Sequence, residues 1–142
     1  MAELQTKIKP SMKTLIMGLF FTCFACGHPT NKLEKVNLDK IKNQTVKKAI
    51  EALQNADEIA WFSLFSENAQ LYDDGSKKNF KSFFRRALGH EQFTSIDKTE
   101  NNSLDIYGKF HSDLWGNFKT YFKFQINKEG KITRLDIGQA NY

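Results

Sequence analysis

Few residues in this chain of 142 amino acids combine a reactive side chain with a spacing that supports chemistry. The three histidines, His28, His90 and His111, have no spacing typical of metal ligands, and no Ser-His-Asp order or phosphate-binding loop is visible. Asp73 and Asp74 are adjacent carboxylates in a run typical of turns. A carboxylate at the edge of an apolar cavity can have a raised pKa and move a proton, but the same pair can also simply form the turn. We therefore expect no metal site and no cofactor, and Asp73 is a candidate for proton transfer.

Cys26 is the candidate for covalent modification. An uncharged run over residues 15–25 is too short to span a bilayer, which takes about 20 residues, and three lysines precede it, as in a secretory signal. The sequence Ala25-Cys26-Gly27 resembles a bacterial lipobox, in which the cysteine becomes lipidated and starts the mature protein. Two other interpretations are open: an ordinary signal peptide cut nearby, and a Cys23–Cys26 pair for redox chemistry or metal binding.

These features predict three segments. Residues 1–25 form a signal peptide, in which residues 1–11 are an upstream extension before a natural start at Met12; residues 26–44 form a tether, and residues 45–142 form one domain. The protein is then exported to the cell envelope and anchored to a membrane by its lipid. The lysines of the tether make either a solvated spacer or an attraction to an anionic membrane surface. From residue 45 onward, 14 basic and 13 acidic residues leave a net charge of +1, which does not support a nucleic-acid-binding face.

Hydrophobic periodicity in the domain predicts helices first and strands afterwards. Apolar residues recur at helical spacing after Thr45, which can cap a helix starting at Val46. Strict alternation from Phe118 to Ile126 predicts a half-buried strand. We predict helices from residue 46, around residues 59–65 and over residues 80–88, and strands over residues 69–72, 91–98, 104–111, 115–127 and 131–139. Helices followed by an antiparallel sheet make an α+β fold.

The order and spacing of several short motifs resemble a known family. The motifs are Ala56-Asp57, Trp61, Leu64-Phe65-Ser66-Glu67-Asn68-Ala69, Asp73-Asp74-Gly75 and Gly130-Lys131-Ile132-Thr133-Arg134-Leu135. Together they make residues 45–142 similar to the SnoaL-like branch of the nuclear transport factor 2-like superfamily. The resemblance implies the cystatin-like cone fold, in which a strongly bent antiparallel sheet wraps around N-terminal helices and leaves an apolar cavity between them.

The resemblance also implies a ligand pocket, because the cone of this family rarely closes completely. The candidate wall consists of Trp61, Phe65, Phe83, Phe84, Phe118, Thr120, Phe122, Thr133 and Leu135. Gln139 is a further polar candidate on the same side. Cavities that bind small molecules are mostly apolar with a few polar groups, but the same residues could equally form a closed hydrophobic core.

Catalysis is a separate expectation from the resemblance. In steroid-isomerase-like relatives, an Asp at the position of Asp73 is the general base, and a Tyr and a protonated Asp stabilise the oxyanion. By spacing, Ala49 or Ile50 and Phe122 occupy the positions of these two donors, so both donors are missing. We therefore expect a non-catalytic module that binds a small apolar molecule or a partner protein. The alternatives are a proton-transfer enzyme of isomerase, dehydratase or cyclase type with Asp73 as base, and an assembly subunit that forms a homodimer through the polar face of the sheet.

Overall fold

A computed structural model describes residues 35–142 of the chain. The expected signal peptide, the start-site extension, the lipidation site Cys26 and the first part of the tether lie outside the described residues. The described part is an α+β domain with three helices and one six-stranded sheet, which confirms the predicted fold class. None of the helices in residues 35–142 has both the length and the apolarity that crossing a bilayer requires.

Short helices precede most of the strands along the chain. The helices are α1 (Gln44–Gln54), α2 (Glu58–Ser63) and α3 (Phe80–Ala87), and the strands are β1 (Phe65–Asp73), β2 (Ser76–Lys78), β3 (Glu91–Glu100), β4 (Asp105–Ser112), β5 (Gly116–Ile126) and β6 (Ile132–Gln139). The expected cap at Thr45 is wrong. Asn43 caps α1, because its side-chain oxygen accepts from the N–H of Val46 at 3.1 Å.

The strands form one bent sheet in the order β2-β1-β6-β5-β4-β3. Strand β1 is parallel to β6, and every other neighbouring pair is antiparallel. Strand β1 begins at Phe65, earlier than predicted, and its register with β6 shifts between Phe65 and Gln70. This irregularity interrupts the alternation of buried and exposed residues. It explains why the hydrophobic pattern predicts only residues 69–72 as strand and assigns Phe65 to a helix.

Strand β5 shows the predicted alternation. Thr120, Phe122 and Phe124 are buried on the inner face, while Lys119 and Lys123 are exposed on the outer face. The helices cover part of that inner face and close a hydrophobic core against it. The sheet thereby presents one apolar face to the helices and one charged face to solvent.

Trp61 of α2 is central to the closed part of the core. It is fully buried, and its ring centroid lies 4.9 Å from that of Phe65 and 4.5 Å from that of Phe84. Its indole N–H has no hydrogen-bond partner among the described residues. Trp61 is therefore held by aromatic packing and not by a polar contact.

The folded domain begins before Thr45. Leu38 and Ile41 are buried in the hydrophobic core, and the Lys40 ammonium donates to two backbone carbonyls of β3 at 3.1 and 2.8 Å. The expected boundary between tether and domain is therefore wrong. The many lysines in residues 31–48 indicate a solvated spacer, but burial of two aliphatic side chains is enough to hold the last part of this segment on the domain.

Candidate functional site

The domain contains a partly open cavity of about 770 Å³. It lies between α3 and the inner face of the sheet, and the β1–β2 turn, the start of β3 and the β4–β5 turn border its mouth. The lining residues are Asp73, Asp74, Lys78, Phe83, Arg86, Ala87, His90, Glu91, Phe110, Ser112, Asp113, Leu114, Trp115, Phe118, Thr120, Phe122, Ile137, Gly138 and Gln139. A cavity of this volume is within the range that binds small molecules.

The interior of the cavity is apolar and mainly aromatic. Phe118 and Phe122 come from β5, Phe110 from β4 and Phe83 from α3. The ring centroid of Phe110 lies 5.7 Å from that of Phe118 and 5.5 Å from that of Phe122, so the rings support one another. Thr120 donates its hydroxyl to a backbone carbonyl of β6 at 2.7 Å and adds no unsatisfied polar group to the wall.

The structure corrects part of the predicted pocket. Phe83, Phe118, Thr120 and Phe122 line the cavity, and so does Gln139. The prediction is wrong for five residues, which do not line it: Trp61, Phe65, Phe84, Thr133 and Leu135. Four of these five, all except Thr133, are buried in the hydrophobic core away from the cavity. Thr133 lies at the register shift between β5 and β6. The regular alternation of inward and outward side chains along β6 is therefore interrupted at this residue.

Two large apolar residues are exposed at the mouth of the cavity. Leu114 and Trp115, in the turn between β4 and β5, are 78% and 73% exposed. The Ser112 hydroxyl oxygen accepts from the N–H groups of both residues at 3.3 Å, and Gly116 completes the turn with a φ of +74°. Sequence reasoning missed this feature by starting a strand at Trp115. Bulky apolar residues at a turn, where polar residues are usual, are the signal that could have identified it.

Asp73 lies at the end of β1 and lines the cavity. Burial raises the pKa of this carboxyl, the charge of Asp74 raises it further, and the charge of Lys78 opposes the shift. Asp73 also pairs with Ser76 in the β1–β2 hairpin, so it has a place in the turn as well. The Asp74 carboxylate accepts from the N–H of Gln139 at 3.0 Å and holds the turn on β6.

A second carboxylate at the mouth, Glu91, was not expected from the sequence. It is the first residue of β3, and the Ser112 hydroxyl donates to its Oε1 at 3.1 Å. Burial raises the pKa of Glu91, the hydrogen bond from Ser112 opposes that shift, and the charges of Asp73 and Asp113 add to it. The cavity mouth therefore has two carboxyls whose pKa values are raised above their ordinary values.

Asp113 connects the two described histidines at the edge of the mouth. His90 Nδ1 lies 2.9 Å from Asp113 Oδ2, and His111 Nε2 lies 3.4 Å from Oδ1. The hydrogen bond from His90 is the main cause of the lowered pKa of Asp113. Within residues 35–142, no group of three or more His, Cys, Asp and Glu side chains has a geometry that could hold a metal ion. The Asp113 side chain, together with its N–H, which donates to the His90 carbonyl at 2.9 Å, joins the β4–β5 turn to the residue before β3.

The positions expected for oxyanion donors carry apolar side chains in the structure. Ala49 and Ile50 are fully buried in α1, and Phe122 is part of the cavity wall. The charged donors that do line the cavity are Lys78 and Arg86. The arrangement can enclose an apolar body in the interior and can exchange a proton or pair a charge at the mouth.

Comparison with known proteins identifies the fold by structural similarity and not by sequence similarity. No family model matches the sequence, and no curated protein matches it. An NTF2-like protein of unknown function from Cytophaga hutchinsonii is similar with a TM-score of 0.55 at 14% identity, over 68% of this chain and 87% of that one. A Xanthomonas campestris protein with a cystatin-like fold has a TM-score of 0.55 at 15% identity, over 68% of this chain and 88% of that one. The chain has the NTF2-like, cystatin-like fold.

One protein of similar structure binds a known ligand. The orange carotenoid protein of Anabaena (Nostoc) sp. PCC 7120, which binds canthaxanthin, has a TM-score of 0.56 at 19% identity. The match covers 76% of this chain and 39% of that chain. Identities of this size establish the NTF2-like fold alone, because one fold carries many functions.

Proposed function

We propose that this NTF2-like domain is a SnoaL-like module that binds a small apolar molecule in its cavity. The observation that carries the proposal is the partly open cavity of about 770 Å³ with four phenylalanines in its interior. Covering apolar surface with a ligand is favourable by about 25 cal/mol per Å² before the costs of association. The binding of canthaxanthin by a protein of similar fold supports this assignment.

Trp115 provides a reporter for binding. It lies at the mouth and is 73% exposed, whereas Trp61 is fully buried. With the full chain and the neutral probe 4-phenylbutan-1-ol, we expect the Trp115 emission to move to shorter wavelength and to become protected from acrylamide. Trp115→Phe removes this signal. Native and denaturing mass spectra of the gently purified protein then show whether a bound molecule leaves on unfolding.

Two matched variants separate binding from stability. Phe118→Ala removes a ring from the cavity wall, while Phe62→Ala removes a ring that packs on Phe80 at 5.5 Å and does not line the cavity. We expect Phe118→Ala to weaken probe binding about tenfold, which corresponds to about 1.4 kcal/mol, and Phe62→Ala to leave it unchanged. Equal loss in both variants, or no bound molecule and no probe binding, would contradict the proposal.

A second candidate function is proton transfer, with Asp73 as general base. The raised pKa values of Asp73 and Glu91 at one cavity favour it. We would follow deuterium exchange at the α-carbon of an aromatic ketone such as 2-tetralone by NMR. Acceleration by the wild type that is lost in Asp73→Asn and kept in Glu129→Gln supports the enzyme. Exchange at the uncatalysed rate excludes this function for ketones of that class.

We also propose that the protein is exported and anchored to a membrane through a lipid on Cys26. The apolar run over residues 15–25 and the Ala25-Cys26-Gly27 sequence support this proposal. In cells grown with labelled palmitate, the wild type and Cys23→Ser should carry label in the membrane fraction, and Cys26→Ser should not. Label that persists in Cys26→Ser would exclude lipidation at this position.

The outer face of the sheet is proposed as the surface of a homodimer. Lys98 Nζ lies 4.5 Å from the centre of the Tyr107 ring, and Lys119 Nζ lies 4.5 Å from that of Tyr142. Polar, tyrosine-containing faces of this kind occur in protein interfaces. Sedimentation velocity should show a dimer that Tyr107→Glu disrupts, and only monomer over a wide concentration range would exclude it.

A further inference from the structure

Two carboxylates at the cavity mouth have no cation in direct contact among residues 35–142, and the charge of Lys78 acts on Asp73 only from beyond ion-pair distance. Asp73 and Glu91 are both partly buried, yet neither forms an ion pair within residues 35–142. The charge of Asp73 also disfavours ionisation of Glu91. A partly buried carboxylate without a cation is less stable than one in water. A positively charged ligand group placed between the two carboxylates would offset this destabilisation.

The charge around the mouth is opposite in sign to that of the domain. The charged lining residues are the acidic Asp73, Asp74, Glu91 and Asp113 and the basic Lys78 and Arg86. Four acidic and two basic groups give −2 with His90 neutral, whereas residues 35–142 as a whole have 17 basic and 14 acidic residues, a net of +3. A negative mouth with low-dielectric walls concentrates cations at the cavity.

The cavity walls add a second attraction for a cation. Phe83, Trp115 and Phe118 line the cavity with aromatic rings, whose faces carry partial negative charge and attract ammonium groups. We infer that the ligand of this cavity is an organic cation with an apolar body, such as an alkyl- or arylammonium compound. Its ammonium group lies between Asp73 and Glu91, and its body contacts the phenylalanines. This inference rests on the proposed function, because it names the charge class of the ligand in the same cavity.

Three probes with one apolar body and different charges test the inference. They are trimethyl(4-phenylbutyl)ammonium, 4-phenylbutan-1-ol and 4-phenylbutyrate, each titrated into the full chain by calorimetry at pH 7.5. We expect the cation to bind at least about tenfold more tightly than the alcohol, which is the order of a charge-assisted contact. The anion should bind most weakly.

Variants of the carboxylates show whether the preference comes from the mouth. Asp73→Asn/Glu91→Gln should lower the affinity for the cation to that for the alcohol and leave the alcohol unchanged. Glu129→Gln, which removes an exposed carboxylate in the turn between β5 and β6, is the matched control and should change neither. If the double variant does not fold, Glu91→Gln alone should lower the cation affinity by a smaller factor.

The outcomes distinguish this inference from the proposed function. If the alcohol binds as tightly as the cation, or more tightly, the inference is wrong and the apolar cavity remains a binding site. If the carboxylate variants weaken all three probes equally, the preference does not arise from charge and the inference is also wrong. If none of the three probes binds, both the inference and the proposed function fail.

Discussion

Replacing Ile41 by alanine tests whether the segment before α1 is part of the folded domain. Ile41 is 2% exposed, and its N–H donates to the carbonyl of Leu38 at 3.0 Å. The next N–H, of Lys42, donates to the hydroxyl of Ser103 at 3.0 Å. Truncation of a buried isoleucine costs about 2–5 kcal/mol. For a domain of about 100 residues, about 3 kcal/mol corresponds to a Tm lower by about 12–24 °C.

The matched control is the same substitution at Ile59, which is 86% exposed. Exposed substitutions change stability by about 0.5 kcal/mol or less, so Ile59→Ala should move the Tm by less than about 4 °C. Thermal unfolding of both full-length variants, followed by circular dichroism, gives the comparison. Small and equal Tm changes in the two variants would refute the packing of residues 38–43 on the domain. The boundary between tether and domain would then lie after residue 44, as expected from the sequence.

Three further predictions concern the core and the cavity. Trp61→Phe should change the free energy of unfolding by less than about 1 kcal/mol, because removing a buried N–H without a described partner offsets most of the lost packing; a loss above about 3 kcal/mol in denaturant titration would contradict this. Thr120→Val should lower the Tm by about 4–8 °C, because it removes the hydrogen bond to the carbonyl of Gly138 at nearly constant volume; an unchanged Tm would contradict it. Asp73→Asn/Glu91→Gln should gain stability relative to the wild type as the pH rises from 4 to 7. Both carboxyls have raised pKa values in the folded state, so the wild type loses stability as they ionise. Denaturant titrations at the two pH values measure the gain, and an equal difference at both would show that the pKa values are not raised.

Most of the fold could be predicted from local patterns, and the errors have local causes. The amphipathic spacing of α3 and the alternation of β5 are regular, and both elements lie where they were predicted. Strand β1 departs from alternation at its register shift, and β2 has three exposed residues without any apolar pattern. The packing of Ile41 depends on contacts with residues distant in sequence, which hydrophobic periodicity does not report.

The corrected domain boundary shortens the proposed tether. Residues 26–37 can extend to about 40 Å at 3.3–3.6 Å per residue, whereas residues 26–44 could extend to about 65 Å. A lipid on Cys26 would then hold Leu38, the first buried residue in the described part of the chain, within about 40 Å of the membrane surface.

The candidate site could be predicted only in part, because core and cavity use the same residue types. Phe83 and Phe84 are neighbours on α3, yet Phe83 lines the cavity and Phe84 packs on Trp61 in the closed core. Periodicity identifies the buried face of an element but not how far the helices cover the sheet. Glu91 was missed for a related reason: 18 positions separate it from Asp73, and only the path of the chain through α3 brings both carboxylates to one mouth. The charge at the cavity mouth therefore depends on which residues the tertiary structure brings together. No short motif in this sequence predicts that arrangement.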